Sequence, residues 1–399
     1  MRHILYLTGS RADYGLMRPV LARLDADAEL SLRLIVTGMH LCERFGRTVR
    51  DIEADGFEIA ARVAILDEAD TTAAMAAAIG RAVTGISGHL EALRPDIVLL
   101  QGDRGESLAA AIAASCQNIV VAHCSGGDLS GSIDDSFRHA ITKLAHYHLA
   151  TNAGSARRIL AMGEAPDRVF VVGEPALDTI LSAKLPSAEQ LAGRLGILPD
   201  ATTILVVQHP VSTEADRAAG QMRVTLEAVA RLDHQVVVIY PNADAGGREM
   251  IAAIEAADLG ANAHKFVSLP HEDYLGLMRM ASVMVGNSSS GLIEAPSFGL
   301  PVVNIGTRQR NRLRPANVID VAHDAGAIAA AIRRALTDDA WRGAARRATN
   351  PYGDGKAAER IARILRQVPI GAGAVVKRWH DESEAGTGQE GADLELWRV

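Results

Sequence analysis

The chain has 399 residues, 48% of them hydrophobic, and its 41 basic and 48 acidic residues leave a formal net charge of −7. This length predicts two domains, each with its own apolar core. The acidic balance and the scattered Lys and Arg residues argue against a nucleic-acid partner. No apolar run approaches the roughly 20 residues that span a bilayer, and no secretory signal opens the chain, so we expect a cytoplasmic protein without a membrane partner.

Short apolar runs rich in β-branched residues alternate along the chain with Ala- and Leu-rich segments of helical character. In the first half, the predicted strands cover residues 4–8, 32–37, 97–100, 119–122, 147–150 and 169–172. After Gly173-Glu174-Pro175 the alternation starts again, with predicted strands at residues 203–207, 235–240, 264–268, 281–285 and 301–305. Strands that alternate with helices are typical of βαβ units and a parallel sheet. We therefore predict an α/β fold of two doubly wound, Rossmann-like domains that face each other across a cleft.

The boundary between the two domains is predicted near residue 175, at the Gly-Glu-Pro turn. We assign residues 1–175 to an N-terminal domain and residues 176–355 to a C-terminal domain. An amphipathic helix at residues 356–368 is predicted to complete the N-terminal domain. Beyond it the composition becomes Gly- and Ala-rich and then acidic, so residues 370–399 are predicted to form a poorly ordered tail without a catalytic role.

Acidic side chains are concentrated after two neighbouring predicted strands of the first half. Asp103 follows the strand at 97–100, Asp128 follows the strand at 119–122, and Asp134 and Asp135 open the next helical segment. Ligands of open α/β sheets bind at the carboxyl ends of the strands, so these acids predict a catalytic site. Carboxyls in different environments can divide the roles of general acid and general base. For Asp103, Asp134 and Asp135, capping a helix is the alternative role.

Arg11 follows the first predicted strand and precedes a helix that we predict to start near Leu16. Its guanidinium and the backbone amides around it suit a phosphate, whereas a surface ion pair is the alternative. The strand is followed neither by GxGxxG nor by GxxxxGK[ST], so a nicotinamide cofactor and P-loop chemistry lack sequence support. HExxH and comparable ligand spacings are absent from the sequence, so we expect no metal site either.

Polar residues in the second half again follow the predicted strands. His209 can bind phosphate or protonate a leaving group, with a structural loop histidine as the alternative. Asn242 either contacts sugar or phosphate or only forms a turn. After the strand at 281–285, four small residues can cradle a diphosphate, and Glu294 can accept hydrogen bonds from ribose, unless this segment only caps a helix. The four small residues are Ser288, Ser289, Ser290 and Gly291.

Eleven motifs, in order along the chain, carry a resemblance to a known family. They are Gly9-Ser-Arg-Ala-Asp-Tyr-Gly15, Thr37-Gly-Met-His40, Gly102-Asp-Arg104, Gly126-Gly-Asp128, Ile133-Asp-Asp-Ser-Phe-Arg-His-Ala-Ile-Thr-Lys143, His209-Pro210, Pro241-Asn-Ala-Asp-Ala-Gly246, Gly286-Asn-Ser-Ser-Ser-Gly291, Glu294-Ala-Pro296, Gly306-Thr-Arg308 and Asn350-Pro-Tyr-Gly-Asp-Gly355. With them the chain resembles the UDP-N-acetylglucosamine 2-epimerases, and specifically the hydrolysing branch that starts sialic or legionaminic acid synthesis. One departure lies at His123-Cys124-Ser125, where the family usually has His-x-His before Gly-Gly-Glu or Gly-Gly-Asp.

The resemblance implies a fold similar to the GT-B glycosyltransferases, with the sugar at the N-terminal domain and UDP bound mainly by the C-terminal domain. It matches Asp103, Asp128 and Asp134 to the family's catalytic acids, with Asp135 as the alternative to Asp134. His209, which the resemblance places at the diphosphate, completes the predicted catalytic set. The corresponding UDP-sugar-binding set is Arg11, Asn242, Tyr274, Ser288, Ser289, Ser290, Gly291, Glu294 and Arg308, with Tyr274 near the nucleoside. Which of Asp128, Asp134 and Asp135 is the acid or the base stays open. The resemblance further implies a homo-oligomer, either a dimer or a tetramer, and no cofactor.

The activity implied by the resemblance is hydrolytic 2-epimerisation of a UDP-2-acetamido sugar. The substrate is either UDP-N-acetylglucosamine or UDP-2,4-diacetamido-2,4,6-trideoxyglucose. Loss of the C2 proton together with UDP gives a glycal, and water then adds at C1 while C2 is reprotonated from the opposite face, which releases the free manno-configured sugar. Removing a proton from one face of C2 and returning one to the other face needs at least two titratable groups. The alternatives are a UDP-sugar-dependent glycosyltransferase of GT-B fold and a catalytically silent UDP-sugar-binding protein.

Overall fold

Two parallel β-sheets form the framework of the molecule. The computed structural model describes residues 1–69, 71–130, 133–182, 185–347 and 349–380, without the side chains of residues 181 and 182. The strands of the first sheet are β1 (Arg2–Thr8), β2 (Leu30–Thr37), β3 (Ile59–Val63), β4 (Ile97–Gln101), β5 (Val120–Cys124), β6 (Tyr147–Ala150) and β7 (Val169–Val171). Those of the second sheet are β8 (Thr203–Val207), β9 (Gln235–Ile239), β10 (Ala263–Phe266), β11 (Val283–Gly286), β12 (Val302–Ile305) and β13 (Val318–Val321).

The order of the strands confirms the predicted fold class. The first sheet is ordered β3-β2-β1-β4-β5-β6-β7, and the second is ordered β10-β9-β8-β11-β12-β13. In each sheet the order reverses at one point, between β1 and β4 in the first and between β8 and β11 in the second. These are the topological switch points at which open α/β sheets bind their ligands.

Helices cover both faces of each sheet. The helices before β8 are α1 (Arg11–Asp25), α2 (Val49–Ala54), α3 (Thr72–Leu93), α4 (Gly105–Cys116), α5 (Ile133–Leu144), α6 (Ala153–Ala161), α7 (Ala176–Ser182) and α8 (Ala188–Leu195). The later helices are α9 (Ala218–Ala230), α10 (Gly247–Ala256), α11 (His271–Met280), α12 (Ser290–Ile293), α13 (Ala325–Thr337), α14 (Asp339–Arg347), α15 (Ala357–Gln367) and α16 (Ala372–Val375). In the part of the chain that the structure describes, no helix combines the length and apolar character needed to cross a membrane.

Two strands of the structure were not predicted from the sequence. Both β3 and β13 lie at an edge of their sheets, and their side chains are mostly half-buried or exposed. An edge strand has one neighbour, so its sequence carries a weaker run of apolar residues than a central strand such as β4, which is buried throughout. Arg62 in β3 and Asp320 in β13 also interrupt the apolar runs, which explains why these two segments escaped the sequence prediction.

Helix α1 begins at Arg11, earlier than the predicted start near Leu16. Ser10 is the N-cap and accepts a hydrogen bond from the backbone amide of Asp13, whose carboxylate in turn accepts from the amides of Gly9 and Ser10. This reciprocal capping box fixes the first turn of the helix directly after β1. Arg11 therefore stands at the end of β1 with a defined backbone.

The chain crosses back to the first sheet after β13. Helix α15 packs against α1 and buries Ile361 and Leu365 in the same apolar core as Met17 and Leu21. The position of α15 agrees with the predicted helix to within one residue at each end. One face of the first sheet is therefore covered by residues from both ends of the sequence.

The prediction of a poorly ordered tail from residue 370 is wrong for residues 370–380. Helix α16 lies in this segment, and Lys377 Nζ donates hydrogen bonds to the carbonyls of Lys143 (2.9 Å) and Ala145 (2.5 Å). Trp379 covers Gly163, where a Cβ atom would lie 2.7 Å from the indole ring. The Gly-rich composition of this segment gave no indication that Lys377 and Trp379 anchor it. Residues 381–399 lie outside the described residues.

Candidate active site

A cleft between the two sheets collects residues from the loops that follow β1, β4 and β5 on one side and β8, β9, β11 and β12 on the other. Eight of the fourteen predicted site residues line it: Arg11, Asp103, Asp128, His209, Asn242, Ser288, Ser289 and Arg308. The carboxylates of the first sheet and the small hydroxyl residues of the second therefore open onto one crevice. The six others lie outside its lining: Asp134, Asp135, Tyr274, Ser290, Gly291 and Glu294.

Arg138 on α5 organises the acids of the first sheet. Its side chain is 1% exposed, and its guanidinium donates hydrogen bonds to the carboxylates of Asp103 and Asp135 and to the carbonyl of Asp128 (2.8 Å). Burial raises the pKa of Asp103, but the guanidiniums of Arg138 and Arg312 outweigh burial and hold it below its usual range. Asp103 is therefore a carboxylate at neutral pH, in a state that can accept a proton.

Asp128 is held by hydroxyl groups on one oxygen and by a cation on the other. Its Oδ1 accepts hydrogen bonds from Thr151 Oγ1 (2.9 Å) and Ser155 Oγ (2.5 Å), while its Oδ2 lies 3.5 Å from Arg312 Nη1. The preceding Gly127 has φ +72°, and a Cβ there would lie 2.2 Å from the carbonyl oxygen of Ser155. Only glycine allows the backbone to approach α6 this closely, so Gly127 sets the position of the Asp128 carboxylate.

Asp134 and Asp135, in the first turn of α5, have different surroundings. Asp135 Oδ1 accepts hydrogen bonds from the backbone amide (2.7 Å) and the hydroxyl (2.8 Å) of Ser130, which ties the preceding loop to the helix. Asp134 Oδ2 faces the second sheet, 3.6 Å from Arg308 Nη2. Asp135 thus holds the loop and Arg138 in place, whereas Asp134 forms a contact across the cleft.

Arg11 brings a buried cation to the junction of β1 and the cleft. Within the described residues, its Nη1 atom is buried without a hydrogen-bond partner. Burial lowers the pKa of the Arg11 guanidinium, and the nearby Tyr274 and Asp51 oppose this effect. Buried donors are almost always paired in folded proteins, so an orphaned guanidinium nitrogen facing a cleft marks a place for an anion.

His209 is neutral at neutral pH. Burial, with Arg308 nearby, lowers its pKa to about 3. Its Nδ1 accepts a hydrogen bond from the backbone amide of Asn242 (3.1 Å), so the ring proton resides on Nε2. His209 can therefore donate a hydrogen bond to a ligand from Nε2. At neutral pH its imidazole does not carry the second proton that a general acid would transfer.

The side chain of Asn242 belongs to a salt-bridge arrangement that crosses the cleft. Its Nδ2 donates to Asp244 Oδ2 (2.6 Å), and Asp244 Oδ1 accepts from Arg104 Nη1 of the first sheet (2.7 Å). The carboxylate of Asp244 is kept charged because Arg104 and Arg308 outweigh the effect of burial and lower its pKa. Asn242 is placed to position this loop as well as to meet a ligand.

The serine segment after β11 forms a chain of hydroxyl groups. Ser288 Oγ lies 2.8 Å from Ser290 Oγ, which lies 2.6 Å from the Tyr274 hydroxyl. Ser290 and Tyr274 therefore support Ser288 from behind the cleft wall. Gly291 has a packing role, because a Cβ there would lie 2.9 Å from Val302 of β12.

Glu294 is buried one turn beyond the serine segment. Its Oε1 lies 3.5 Å from His271 Nε2 on α11. His271 also packs against Gly15 of α1, where a Cβ would lie 2.9 Å from the imidazole. The Glu294 carboxylate thus lies near the contact between α1 and α11, beside Ile293, which lines the cleft.

Sequence reasoning missed four side chains that line or shape the cleft. Arg138 stood within a quoted motif but received no role, and Arg312 and Glu174 lay outside every motif. His123 Nε2 donates to the carbonyl of Gly102 (2.6 Å) and so fixes the turn before Asp103. The only signal for Glu174 was its place between Gly173 and Pro175, which indicated a domain boundary.

Among the described residues, no group of three or more His, Cys, Asp or Glu side chains could hold a metal ion.

Comparison with known proteins gives a consistent result. A family described as UDP-N-acetylglucosamine 2-epimerase matches residues 22–366. The UDP-N,N'-diacetylbacillosamine 2-epimerase (hydrolyzing) of Legionella pneumophila is 41% identical over 374 residues, 93% of this chain and 97% of that protein. The UDP-N-acetylglucosamine 2-epimerase of Neisseria meningitidis is 35% identical over 352 residues, 86% of this chain and 91% of that protein.

A solved structure shows the same fold. The crystal structure of the Neisseria meningitidis UDP-GlcNAc 2-epimerase bound to UDP-GlcNAc matches with a TM-score of 0.77 and 19% identity, covering 91% of this chain and 99% of that one. At this identity the likeness concerns the fold, which agrees with the two facing sheets described above. The profile match over most of the chain and the 41% identical relative establish the family. The chain belongs to the UDP-N-acetylglucosamine 2-epimerase family.

Proposed function

We propose that this protein is a hydrolysing 2-epimerase that converts a UDP-2-acetamido sugar into UDP and the free manno-configured sugar. The observation that carries the proposal is one cleft that is lined by the carboxylates Asp103 and Asp128 and by Arg11, whose Nη1 has no hydrogen-bond partner among the described residues. Proton abstraction next to an anomeric centre needs the former, and departure of a nucleoside diphosphate needs the latter. The hydrolysing relative from Legionella pneumophila supports the same reaction class.

The diphosphate is assigned to the side of the cleft where donors predominate. Arg11 offers an unpaired guanidinium nitrogen, His209 offers a neutral Nε2–H, and Ser288 and Ser289 offer hydroxyls. Charge develops on the diphosphate as its bond to C1 breaks. Preorganised donors in a water-poor cleft stabilise such charge without reorganisation. This set requires no metal ion for the leaving group.

The sugar is assigned to the side where the acids meet. The Asp103 carboxylate takes the proton from C2 while the C1–O bond to UDP breaks, which leaves a glycal and UDP. Water then supplies a hydroxyl to C1, and a proton returns to C2 from the other face. Because Arg138 holds Asp103 in its charged form, this carboxylate is ready to act as the base.

Two substrates fit the proposal. The family and the Neisseria meningitidis relative are named after UDP-N-acetylglucosamine. The Legionella pneumophila relative, which is more similar to this chain, is named after UDP-N,N'-diacetylbacillosamine. This chain has Ser125 beside the cleft, at the point where it departs from the usual His-x-His pattern. The free sugar would serve nonulosonic acid synthesis of the sialic or legionaminic type, in a protein that forms dimers or tetramers.

The test is a product assay in deuterium oxide with both nucleotide sugars. Each substrate is incubated with the protein and no acceptor, UDP is quantified, and the sugar product is examined by NMR and mass spectrometry. The proposal predicts UDP release together with one deuterium at C2 of a manno-configured free sugar. UDP release without label at C2, or turnover only after an acceptor is added, contradicts it, and the second result favours a glycosyltransferase. Light scattering of the purified protein tests the oligomeric state.

A further inference from the structure

Glu174 is a buried acid that the sequence motifs leave without a role. It lies in the turn between β7 and α7, where its backbone amide donates to the carbonyl of Tyr352 (2.9 Å) on the segment that returns toward α15. Two crossing stretches of chain therefore fix its backbone. Its side chain is 2% exposed and reaches the cleft beside Asp128 and Arg312.

One oxygen of the Glu174 carboxyl lacks a partner. In the parts of the chain that the structure describes, Oε1 is buried and accepts no hydrogen bond. Arg312, whose charge acts on Glu174, already lies 3.5 Å from Asp128 Oδ2. A buried carboxyl oxygen without a donor is unfavourable for the fold alone and points to a group that arrives with a ligand.

A second buried glutamate, outside the cleft, has fully paired oxygens. Glu164 is 3% exposed, yet its two oxygens receive Lys143 Nζ (2.7 Å), Lys377 Nζ (2.6 Å) and His148 Nε2 (3.0 Å). These partners outweigh burial and lower the pKa of Glu164 to about 2. The chain thus neutralises a structural glutamate with cations but leaves Glu174 without a dedicated one.

The charges around Glu174 favour its protonated form. Burial, with the carboxylates of Asp128 and Glu294, raises its pKa to about 8, while Arg312 and a backbone hydrogen bond from Ala176 oppose the rise. The other ionisable groups that interact with it are Tyr352 and Cys124. At neutral pH the cleft therefore holds one carboxyl that carries a proton and another, Asp103, that does not.

The two carboxyls also approach from different parts of the first sheet. Asp103 follows β4 and Glu174 follows β7, three strand positions away, so about 14 Å separates the strands that carry them. Both side chains nevertheless reach the same cleft. A sugar between them can lose a proton toward one wall and gain a proton from the other.

We propose that Glu174 is the proton donor that returns a proton to C2 in the second half of the reaction. In this step the Glu174 O–H bond breaks, a C2–H bond forms on the glycal, and water oxygen bonds to C1. The proton lost by water and the proton held by Asp103 pass to solvent, which also reprotonates Glu174. The assignment rests on the proposed epimerase function, since it specifies one group of that reaction.

The test uses Glu174→Gln in the full-length protein, with Glu164→Gln as the matched control of a buried glutamate outside the cleft. In single turnovers, Glu174→Gln is expected to release UDP and accumulate the glycal, while free manno-configured sugar falls by at least a hundredfold. Its melting temperature is expected to stay close to that of the unmodified protein, because Gln has the shape and neutral charge of the protonated Glu174 carboxyl. Glu164→Gln loses melting temperature but forms the free sugar with little accumulated glycal.

A second measurement supplies the glycal and UDP directly in deuterium oxide. The unmodified protein is expected to hydrate the glycal with deuterium at C2, at a rate that falls as the pH rises through about 8, since the donor must be protonated. Glu174→Gln should hydrate the glycal at least a hundredfold more slowly, and its residual rate should lack this pH limb. Free-sugar formation at the normal rate and pH profile in Glu174→Gln overturns the assignment, as does loss of UDP release with UDP affinity intact. Absence of UDP release by the unmodified protein instead refutes the proposed function itself.

Discussion

Arg312 Nη1 of the second half of the chain lies 3.5 Å from Asp128 Oδ2 of the first half. Among the described residues, other contacts between the two halves join Arg308 to Asp134, Arg104 to Asp244, and the amide of Asn311 to the carbonyl of Ser130. The acids of the first sheet therefore receive part of their electrostatic environment from the second sheet. We conclude that the site is a property of the two sheets together.

Replacing Asp103 by Asn is expected to remove turnover while nucleotide affinity is kept. Asn has the shape of Asp but cannot accept the C2 proton, and UDP is assigned to the other side of the cleft. We expect kcat to fall at least a hundredfold, about 2.7 kcal/mol of barrier, with UDP affinity by calorimetry unchanged. Asp200→Asn, at an exposed position, provides the control. An equal loss of binding and rate would identify Asp103 as structural.

Replacing Arg11 by Ala is expected to weaken UDP binding. A hydrogen bond to a charged group contributes about 1.5–3 kcal/mol, so the dissociation constant for UDP should rise roughly 10- to 100-fold. Arg11→Lys should recover only part of the loss, because Lys keeps the charge but not the planar fork. Calorimetry measures both, with the exposed Arg50→Ala as the control. Unchanged UDP affinity in Arg11→Ala would remove the diphosphate from this position.

Replacing His209 should lower kcat/KM but leave the shape of its pH profile near neutrality unchanged. With a pKa of about 3, His209 is neutral throughout the range in which the protein is assayed. His209→Ala is therefore expected to lower kcat/KM by about a hundredfold, and His209→Gln, which retains an N–H donor, by less. The pH profile of kcat/KM reports ionisations of the free protein. Disappearance of a limb between pH 5 and 7 in His209→Ala would show that its imidazole titrates there.

The anchoring of residues 370–380 should contribute to stability in a pH-dependent way. Glu164 has its pKa lowered to about 2, so its ion pairs stabilise the fold above its unfolded pKa near 4.5, and this contribution is lost as the pH falls toward 2. Lys377→Met should lower the free energy of unfolding at pH 7 by about 1–2 kcal/mol after solvent screening. The exposed neighbour Arg378→Met is the control. Thermal unfolding at pH 7 and pH 3 checks this, and an equal loss at both pH values would contradict it.

The sequence was sufficient for the fold and for residues at the ends of central strands. Asp103 and His209 directly follow strands that are buried throughout, so their place at the cleft follows from the parallel α/β pattern. Glu174 and Arg312 could not be found in this way. They lie in irregular segments whose course depends on how the two sheets meet, and neither residue type is informative without its neighbours.

The same distinction applies to residue roles. From the sequence, Asp128 and Asp134 were candidates for acid or base, with Asp135 as the alternative to Asp134. In the structure, the Asp135 carboxylate accepts hydrogen bonds from Ser130 and Arg138. The Asp128 carboxylate instead accepts hydrogen bonds from the hydroxyls of Thr151 and Ser155 and lies near Arg312. The partners of Asp135 lie close to it in the sequence, whereas those of Asp128 come from distant segments that no local pattern indicates. Hydrogen-bond partnership, more than position in a motif, separates the three residues.

Helix α15 has a consequence for any attempt to divide this protein. Ile361 and Leu365 complete a core whose other members, such as Met17, come from the start of the sequence. A fragment that ends at residue 175 would expose this core to water, and one that begins there would carry an unaccompanied amphipathic helix. The two halves should therefore not be recoverable as separately folding pieces by simple truncation, and gene fusion or fragment exchange must keep both termini together.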